Sequence, residues 1–187
     1  MSFTISVIGT GYLGIVHAAC MAELGHTVIA VDSDPAKIVS LSRGVAPIFE
    51  PGLDELLARV LATGRLHFTT DYAQVAGADV HFICVGTPQR VGENAADTSY
   101  VFDAAQSLAP YLGPEALVVG KSTVPVGTAA QLRDRLQAGA PEGVTARLAW
   151  NPEFLREGYV IADTLRPDRL VYGLPADEAG RDRAKAV

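Results

Sequence analysis

A glycine-rich turn near the start of the chain constrains the fold more than any other feature. Gly9, Gly11 and Gly14 have the spacing Gly-x-Gly-x-x-Gly, and they follow the apolar, β-branched stretch 3–8. After the turn, apolar residues recur at the spacing of a helix over residues 13–24. The pattern therefore predicts a buried strand, a tight turn and a helix, in that order.

Each glycine of this turn has its own physical reason. Gly9 permits the tight turn, Gly11 lets the backbone approach a pyrophosphate, and Gly14 lets the helix pack closely on the strand. A second predicted strand, 27–31, ends at Asp32, which follows Gly14 by 32 − 14 = 18 residues. A carboxylate there suits the hydroxyl groups of a ribose. We interpret the turn as a dinucleotide site; the alternative is a structural glycine turn followed by a helix-capping aspartate.

The residues around Asp32 favour NAD over NADP. A carboxylate pairs with a ribose 2′-hydroxyl and repels a 2′-phosphate, and the neighbours Ser33 and Asp34 add no arginine that could accept one. Lys37 lies one turn into the next predicted helix. It is either a solvated surface lysine or a side chain that reaches the adenosine ribose.

Composition and charge exclude several classes of protein. A chain of 187 residues with 49% apolar and 19% charged residues suits one globular domain. The net charge of −6 and the lack of a basic cluster exclude nucleic acid and anionic membranes as expected partners. No apolar run approaches the roughly 20 residues of a membrane span. We expect a cytoplasmic protein, since the first strand leaves no room for a signal peptide.

The two cysteines and four histidines do not indicate a metal site. Cys20 and Cys84 both lie in apolar stretches, so we expect reduced, buried thiols. The sequence contains no Cys-x-x-Cys motif and no His/Cys cluster at ligand spacing. We therefore predict that the protein holds no metal.

Predicted strands and helices alternate along the chain. Besides the strands at 3–8 and 27–31, strands are predicted at 65–69, 79–85, 116–120, 146–150 and 169–172. Helices are predicted at 34–41, 53–61, 100–109, 129–137, from Asn151 onward, and at 176–187. This alternation predicts an α/β fold in which residues 1–187 form one Rossmann-like, doubly wound, mainly parallel sheet with helices on both faces.

Unusual turns follow five of these strands. They are the glycine turn, Asp32, and the segments 85–88, 122–125 and 151–153. Because the carboxyl ends of parallel strands lie at one edge of a sheet, and ligands bind at that edge, we expect these turns to form a cleft together. The cleft would hold a dinucleotide and leave room for a second ligand.

Two carboxylates stand out after the strand at 146–150. Asn151 is a good N-cap and Pro152 suits a first helical turn, so Glu153 and Glu157 are predicted on one helical face, with Cβ atoms roughly 5–6 Å apart. Repulsion would raise the pKa of one of them and suit it to proton transfer. Alternatively, Glu153 complements the helix dipole and Glu157 is solvated. The Thr123 hydroxyl is either part of this site or stabilises its turn.

Six blocks, in order along nearly the whole chain, resemble the nucleotide-sugar 6-dehydrogenases of the UDP-glucose/GDP-mannose dehydrogenase family. The blocks are 9–14, 47–53, 85–88, 121–128, 151–158 and 166–169. The resemblance implies oxidation of a sugar C6 alcohol to a carboxylate with two NAD+, through an aldehyde-level intermediate held on a cysteine. It implies a UDP-sugar as partner and a homo-oligomer for the complete enzyme. Blocks 121–127 and 167–169 favour UDP-glucose, converted to UDP-glucuronate, over GDP-mannose and UDP-N-acetylmannosamine.

The resemblance also implies roles for individual residues. The cofactor would be bound by Gly9, Gly11, Tyr12, Leu13, Gly14, Asp32, Lys37, Thr87, Thr123 and Glu157. The nucleotide sugar would be bound by Glu153, Phe154, Leu155, Arg156 and Glu157. Catalytic roles fall to Glu153, which would activate the hydrolytic water, to Thr123, which would order a water, and to Glu157 near the nicotinamide.

The resemblance also implies catalytic residues that we do not expect to find in this chain. The nucleophilic cysteine, a catalytic lysine and an aspartate belong to a later domain, reached through a linking helix, and neither Cys20 nor Cys84 matches that cysteine. The segment 92–97 also departs from the family's simpler Asp-Gly-x-Ala-Asp pattern. We therefore expect residues 1–187 to bind NAD without catalysing the reaction. A non-catalytic NAD-binding module is the alternative from a different functional class.

Overall fold

The fold is a single parallel sheet in a computed structural model that describes residues 2–175 and 177–186. The strands are β1 (Thr4–Ile8), β2 (Thr27–Val31), β3 (Leu66–Thr69), β4 (Val80–Ile83), β5 (Leu117–Gly120) and β6 (Arg147–Trp150). All five neighbouring pairs are parallel, in the order β3-β2-β1-β4-β5-β6. The chain thus starts in the middle and winds outward both ways, which confirms the predicted Rossmann-like fold.

Helices cover both faces of the sheet. They are α1 (Tyr12–Glu23), α2 (Pro35–Ser42), α3 (Leu53–Ala62), α4 (Ser99–Leu108), α5 (Thr128–Gly139), α6 (Val160–Leu165) and α7 (Glu178–Ala186). Buried residues of α1, α2 and α3 belong to one core, and those of α4 and α5 belong to a second. In β5, Leu117 and Val119 pack in the first core while Val118 packs in the second. Because strand side chains alternate between faces, one continuous apolar strand supplies both cores.

The segment after β6 does not form the predicted helix, so the prediction that Glu153 and Glu157 share a helical face is wrong. Asn151 does not cap a helix, because its side chain is used elsewhere. Its Oδ1 accepts a hydrogen bond from Lys121 Nζ at 2.7 Å, and its Nδ2 donates to the carbonyl of Val171 at 3.0 Å. No regular structure follows until α6. Local capping preference is overridden here by contacts with distant residues.

The predicted strand at 169–172 is also absent. Only an isolated antiparallel bridge forms nearby, in which Trp150 and Gly173 exchange backbone hydrogen bonds of 2.9 and 2.8 Å. The carbonyl of Val171 is already occupied by Asn151, which removes an acceptor that a strand ladder would need. The predicted helix at 176–187 is present as α7, with residues 176 and 187 outside the described part of the chain.

Residues 2–175 and 177–186 contain neither a membrane-spanning helix nor a cluster of metal-binding side chains. None of the helices there is long and apolar enough to cross a membrane. In the same residues, no group of three or more His, Cys, Asp or Glu side chains could hold a metal ion.

His81 gives the fold a predicted sensitivity to acid. The side chain is fully buried in β4, its Nδ1 lies 2.7 Å from Ser6 Oγ, and Nε2 has no hydrogen-bond partner within the described residues. Burial lowers the pKa of His81 from 6.5 to about 4, with Asp79 opposing the shift. On acidification the unfolded state binds the proton first. Stability that is complete above pH 6.5 is therefore lost as the pH falls towards 4.

We expect His81→Leu to flatten this pH dependence. Between pH 7 and 4.5 the free energy of unfolding of the native protein should fall by about 2–3 kcal/mol more than that of the variant. Urea denaturation at a series of pH values measures the difference. His67→Leu makes the same replacement at an exposed position of β3 and serves as the control. Parallel curves for the native protein and His81→Leu would contradict the prediction.

Candidate functional site

The glycine turn after β1 is held by contacts that leave no room for side chains at two positions. Gly9 has a φ of 93°, and its N–H donates to the carbonyl of Val31 at 2.8 Å. A Cβ atom at Gly9 would lie 2.8 Å from Val85 Cγ1, and one at Gly14 would lie 1.8 Å from the Gly9 carbonyl oxygen. Gly9 is thus required for the tight turn and Gly14 for the close packing of α1 on the sheet, as predicted.

Gly11 is different, because a Cβ atom there would meet nothing within 4 Å. Gly11 is also the N-cap of α1, and no side chain caps the first N–H groups of this helix. These groups and the positive end of the helix dipole face open space next to the turn. The turn therefore fits a pyrophosphate, which would accept hydrogen bonds from the helix start, and Tyr12 and Leu13 come directly after it.

Asp32 follows the end of β2 and is fixed by the glycine turn itself. Its Oδ2 accepts hydrogen bonds from the backbone N–H of Thr10 at 2.9 Å and from the Thr10 hydroxyl at 2.8 Å. Lys37 Nζ forms an ion pair with the same oxygen at 2.8 Å. Of the two alternatives for Lys37, a solvated surface lysine or a side chain that reaches the adenosine ribose, the first is therefore wrong. The second carboxylate oxygen, Oδ1, accepts one hydrogen bond, from the N–H of Asp34 at 3.1 Å.

The hydrogen bonds keep Asp32 ionised. Burial alone would raise the pKa of Asp32, but the donors on Lys37, Thr10 and Asp34 outweigh it and the pKa is lowered. A fixed negative charge therefore lies at the end of β2, beside the turn that suits a pyrophosphate. Oδ1 keeps a lone pair that could accept from a ribose hydroxyl, whereas a 2′-phosphate would be repelled.

The turns after β4 and β5 are joined by two hydroxyl groups. The Ser122 hydroxyl donates to the carbonyl of Val85 at 2.6 Å, and the Thr87 hydroxyl donates to the carbonyl of Thr123 at 2.8 Å. Ser122 is buried, whereas Thr123 is exposed. The structure thus brings Thr87 and Thr123 together at the same sheet edge as the glycine turn. Ser122 has a fixing role that sequence analysis did not assign.

Glu153 lies near a buried lysine instead of on a helix with Glu157. Burial raises the pKa of the Glu153 carboxyl, and the charge of Lys121 opposes the shift. The direction agrees with the prediction, but the predicted cause, repulsion from Glu157, is wrong. Lys121 is only 8% exposed, and burial lowers the pKa of its amine, with Cys84 and Glu153 opposing. A carboxyl with a raised pKa beside an amine with a lowered pKa is suited to proton transfer.

The other predicted substrate residues are held by arginine contacts or by packing against the core. Arg156 forms a bidentate ion pair with Asp163 of α6, with hydrogen bonds of 3.0 and 2.6 Å. Arg169 lies over the Phe154 ring, 4.9 Å from its centroid. Leu155 is half-buried against the first core. The segment 153–157 is therefore anchored on one side and exposed on the other.

A cavity of about 610 Å³ lies beside this segment. Its lining includes residues 152–156, Lys121 and Asn151 at the sheet edge, and side chains of α1 such as His17. Nε2 of His17 and Oγ1 of Thr164, which also lines the cavity, are buried atoms without a partner within the described residues. The cavity thus combines apolar walls with a few polar atoms, as small-molecule sites do.

Glu50 is a buried residue of this site that sequence analysis missed. It is 5% exposed, and its carboxylate accepts hydrogen bonds from the hydroxyl of Tyr12 and the N–H groups of Gly158 and Val160. Glu50 belongs to one of the blocks that resemble the dehydrogenases, which was the only signal in the sequence. No local pattern could have indicated its partners, since the two backbone donors are more than a hundred positions away.

Neither thiol of the chain is placed for nucleophilic chemistry. Cys20 and Cys84 are free and buried, as predicted. Burial raises the pKa of each thiol to about 12. Because the thiolate is the reactive form, both cysteines are inert core residues near neutral pH.

The fold and this sheet edge together define a dinucleotide-binding domain of the Rossmann type. A sequence profile described as "UDP-glucose/GDP-mannose dehydrogenase family, NAD binding domain" matches residues 3–187. The chain therefore belongs to the UDP-glucose/GDP-mannose dehydrogenase family and is its NAD-binding domain.

Individual relatives agree with this assignment. The chain is 48% identical to a UDP-glucose 6-dehydrogenase of Rhizobium meliloti, over 96% of the chain and 41% of that protein. A UDP-glucose dehydrogenase structure from Pyrobaculum islandicum superposes with a TM-score of 0.89 at 42% identity, over 100% of the chain and 45% of that structure. A GDP-mannose dehydrogenase structure from Pseudomonas aeruginosa superposes with a TM-score of 0.87 at 36% identity, over 97% of the chain and 43% of that structure. The chain thus spans less than half the length of these relatives.

We predict that Gly11→Val abolishes cofactor binding without unfolding the domain. Gly11 has a φ of −70° and a ψ of −169°, which valine adopts readily, and no protein atom obstructs the new side chain. The side chain would instead occupy the space that the pyrophosphate needs. NADH fluorescence titration should show a Kd raised by at least about 100-fold, a loss of about 2.7 kcal/mol.

The matched control is Gly113→Val, which places the same side chain in open space before β5. Circular dichroism and thermal melting should show both variants folded, and Gly113→Val should bind NADH normally. A folded Gly11→Val variant with native affinity would show that the turn has only a structural role.

Proposed function

We propose that this chain is the cofactor half of an NAD-dependent enzyme that oxidises the C6 alcohol of UDP-glucose to the carboxylate of UDP-glucuronate. One observation carries the proposal. The glycine turn, with the uncapped start of α1, and the segment 153–157 lie at the same sheet edge and are joined by hydrogen bonds to Glu50. The relatives named for UDP-glucose are more similar in sequence than the one named for GDP-mannose, which favours UDP-glucose as the substrate.

The cofactor side of the site is the better defined half. When bound, NAD+ supplies the acceptor for the hydride that leaves sugar C6. The N–H groups at the start of α1 would bind its pyrophosphate, and Asp32 would accept from a ribose hydroxyl. The remaining proposed contacts are Gly9, Gly11, Tyr12, Leu13, Gly14, Lys37, Thr87, Thr123 and Glu157.

The substrate side consists of the segment 153–157 and the cavity beside it. Phe154, Leu155 and Arg156 would contact the nucleotide sugar together with the two glutamates. Glu153 is the proposed base for the water that releases the acid, because burial raises its pKa and Lys121 lies near it. Thr123, exposed in the turn after β5, would order a water near the reacting carbon.

The capture of the aldehyde needs a thiol that these residues do not supply. Cys20 and Cys84 are buried with a raised pKa, so neither can form the thiolate that attacks an aldehyde. We therefore propose that the reactive cysteine belongs to a further domain of the complete enzyme, reached through a linking helix. A homo-oligomeric assembly of that enzyme belongs to the same proposal.

The proposed activity predicts two NADH per sugar. The full-length enzyme containing this chain, incubated with NAD+ and UDP-glucose, should show this stoichiometry by absorbance at 340 nm and UDP-glucuronate by mass spectrometry. GDP-mannose and UDP-N-acetylmannosamine are the competing substrates, and each should react with a kcat/KM at least about tenfold lower, equivalent to 1.4 kcal/mol. A preference for either competitor would overturn the substrate assignment.

The 187-residue chain alone is the second arm of this experiment. It should bind NADH, because the glycine turn and Asp32 are complete within it, and it should produce no sugar acid. Sustained turnover by the chain alone would contradict the division between the two domains. Failure of a folded chain to bind NADH would contradict the proposed cofactor site.

For Glu153→Gln we predict accumulation of an acyl-enzyme in the complete enzyme. The second half of the reaction hydrolyses a thioester, which needs a positioned and partly deprotonated water, and glutamine cannot accept that proton. Intact-protein mass spectrometry after a brief reaction should show the adduct, and the first NADH should form at nearly the native rate.

Glu142→Gln, an exposed change outside the sheet edge, provides the control and should behave like the native enzyme. If Glu153→Gln loses hydride transfer outright and forms no adduct, Glu153 does not have the role assigned here.

A further inference from the structure

The carboxylate of Glu50 connects the two halves of the proposed site. Oε2 accepts hydrogen bonds from the hydroxyl of Tyr12 and, at 3.0 Å, from the N–H of Gly158. Oε1 accepts from the N–H of Val160 at 2.9 Å. Tyr12 is the first residue of α1 at the glycine turn, whereas Gly158 and Val160 directly follow the segment 153–157. One side chain thus contacts the cofactor turn and the end of the substrate segment.

The environment of Glu50 is unusual for an acidic side chain. It is 5% exposed, and among residues 2–175 and 177–186 it forms no ion pair with a lysine, arginine or histidine. Burying a carboxylate is costly unless hydrogen bonds replace its water. Three neutral donors do so here, and each belongs to an element of the proposed site. An apolar side chain in place of Glu50 would leave these three donors without an acceptor, so the carboxylate is tied to the elements of the proposed site.

The three hydrogen bonds join the segment 153–157 to the glycine turn. Residues 151–156 have no regular secondary structure, and residues 157 and 158 form a turn. The Arg156–Asp163 pair ties this segment to α6, but it does not tie the segment to the glycine turn. The C-terminal end of the segment is held by Glu50 through two backbone N–H groups. The same carboxylate is held in turn by Tyr12 of the cofactor turn. A shift of Glu50 would therefore move the substrate segment relative to the start of α1.

We propose that Glu50 is a positioning residue for the reaction: it holds the segment 153–157 at a set distance from the glycine turn, and so aligns sugar C6 with the cofactor. This inference rests on the proposed function. Hydride transfer needs the reacting atoms about 3–3.5 Å apart, and a misplacement of 1 Å can cost about 100-fold in rate. Each ligand keeps its own direct contacts when Glu50 changes, so the effect falls on kcat and not on affinity.

The test compares Glu50→Gln, Tyr12→Phe and Glu55→Gln in the full-length enzyme. Glutamine has the same shape but turns one acceptor oxygen into a donor that faces existing N–H or O–H groups. We expect Glu50→Gln to lower kcat for UDP-glucose oxidation at least about tenfold, with Kd for NADH and KM for the sugar within about threefold of native. Glu55→Gln makes the same chemical change at an exposed position of α3 and should leave all three constants unchanged.

Tyr12→Phe removes only one of the three hydrogen bonds and should lower kcat by a smaller factor. Because both changes act through the same carboxylate, the double variant should lose no more activity than Glu50→Gln alone. All measurements are made well below the melting temperature of each variant. If Glu50→Gln only lowers that temperature and the folded enzyme keeps its native kcat, the residue is structural and the proposal is wrong.

Hydrogen exchange on the 187-residue chain separates this proposal from the proposed function. In Glu50→Gln the amide protons of Gly158 and Val160 should exchange at least about tenfold faster than in the native chain, with the core of β1 unchanged. Native protection at both amides would overturn the inference, whatever the enzyme's substrate. A native enzyme that oxidises no nucleotide sugar would instead overturn the proposed function. If both amides nevertheless exchange faster in Glu50→Gln, the conclusion that Glu50 holds the end of the segment 153–157 would stand.

Discussion

The contact between Gly14 and the carbonyl of Gly9 is the constraint on which the rest of the site depends. A single added methyl group at Gly14 would lie 1.8 Å from that oxygen, so α1 can approach the sheet only as long as this position has no side chain. The close approach places the uncapped start of α1 at the carboxyl end of β1. Since every strand is parallel to β1, the other functional turns emerge at the same edge.

Hydrogen bonds between these turns then convert a shared edge into a site of fixed shape. Thr10 joins the glycine turn to Asp32, Ser122 joins the turn after β5 to the turn after β4, and Glu50 joins α1 to the substrate segment. Each bond uses a side chain at the end of one element and a backbone or polar group of another. The site is therefore assembled by Thr10, Ser122 and Glu50, to which sequence analysis gave no ligand contact, and the position beside Gly11 stays open.

How far sequence could predict this structure depends on the range of the interactions. The sheet, the glycine turn and Asp32 follow from local patterns, and the structure agrees with them. The helix predicted at Asn151 does not form, because the Asn151 side chain is hydrogen-bonded to Lys121 and Val171, which are remote in sequence. The role of Glu50 could not be found in the same way, since its partners come together only when α6 packs on α1. Local signals predict the strands and helices as far as β6, whereas long-range polar contacts determine the irregular segment that follows β6.

The two halves of the site differ in how complete they are. On the cofactor side, Asp32 is held by several donors and the helix start is pre-formed, so binding there needs little ordering. On the substrate side, Phe154 and Tyr159 expose 54% and 63% of their surface, and the thiols of the chain are buried. Under the proposed function, NAD binding needs only residues of this chain, whereas oxidation of a sugar needs a reactive thiol from elsewhere in the enzyme. Glu50 links the two sides, because its carboxylate accepts hydrogen bonds from Tyr12 at the start of α1 and from Gly158 at the end of the proposed substrate segment.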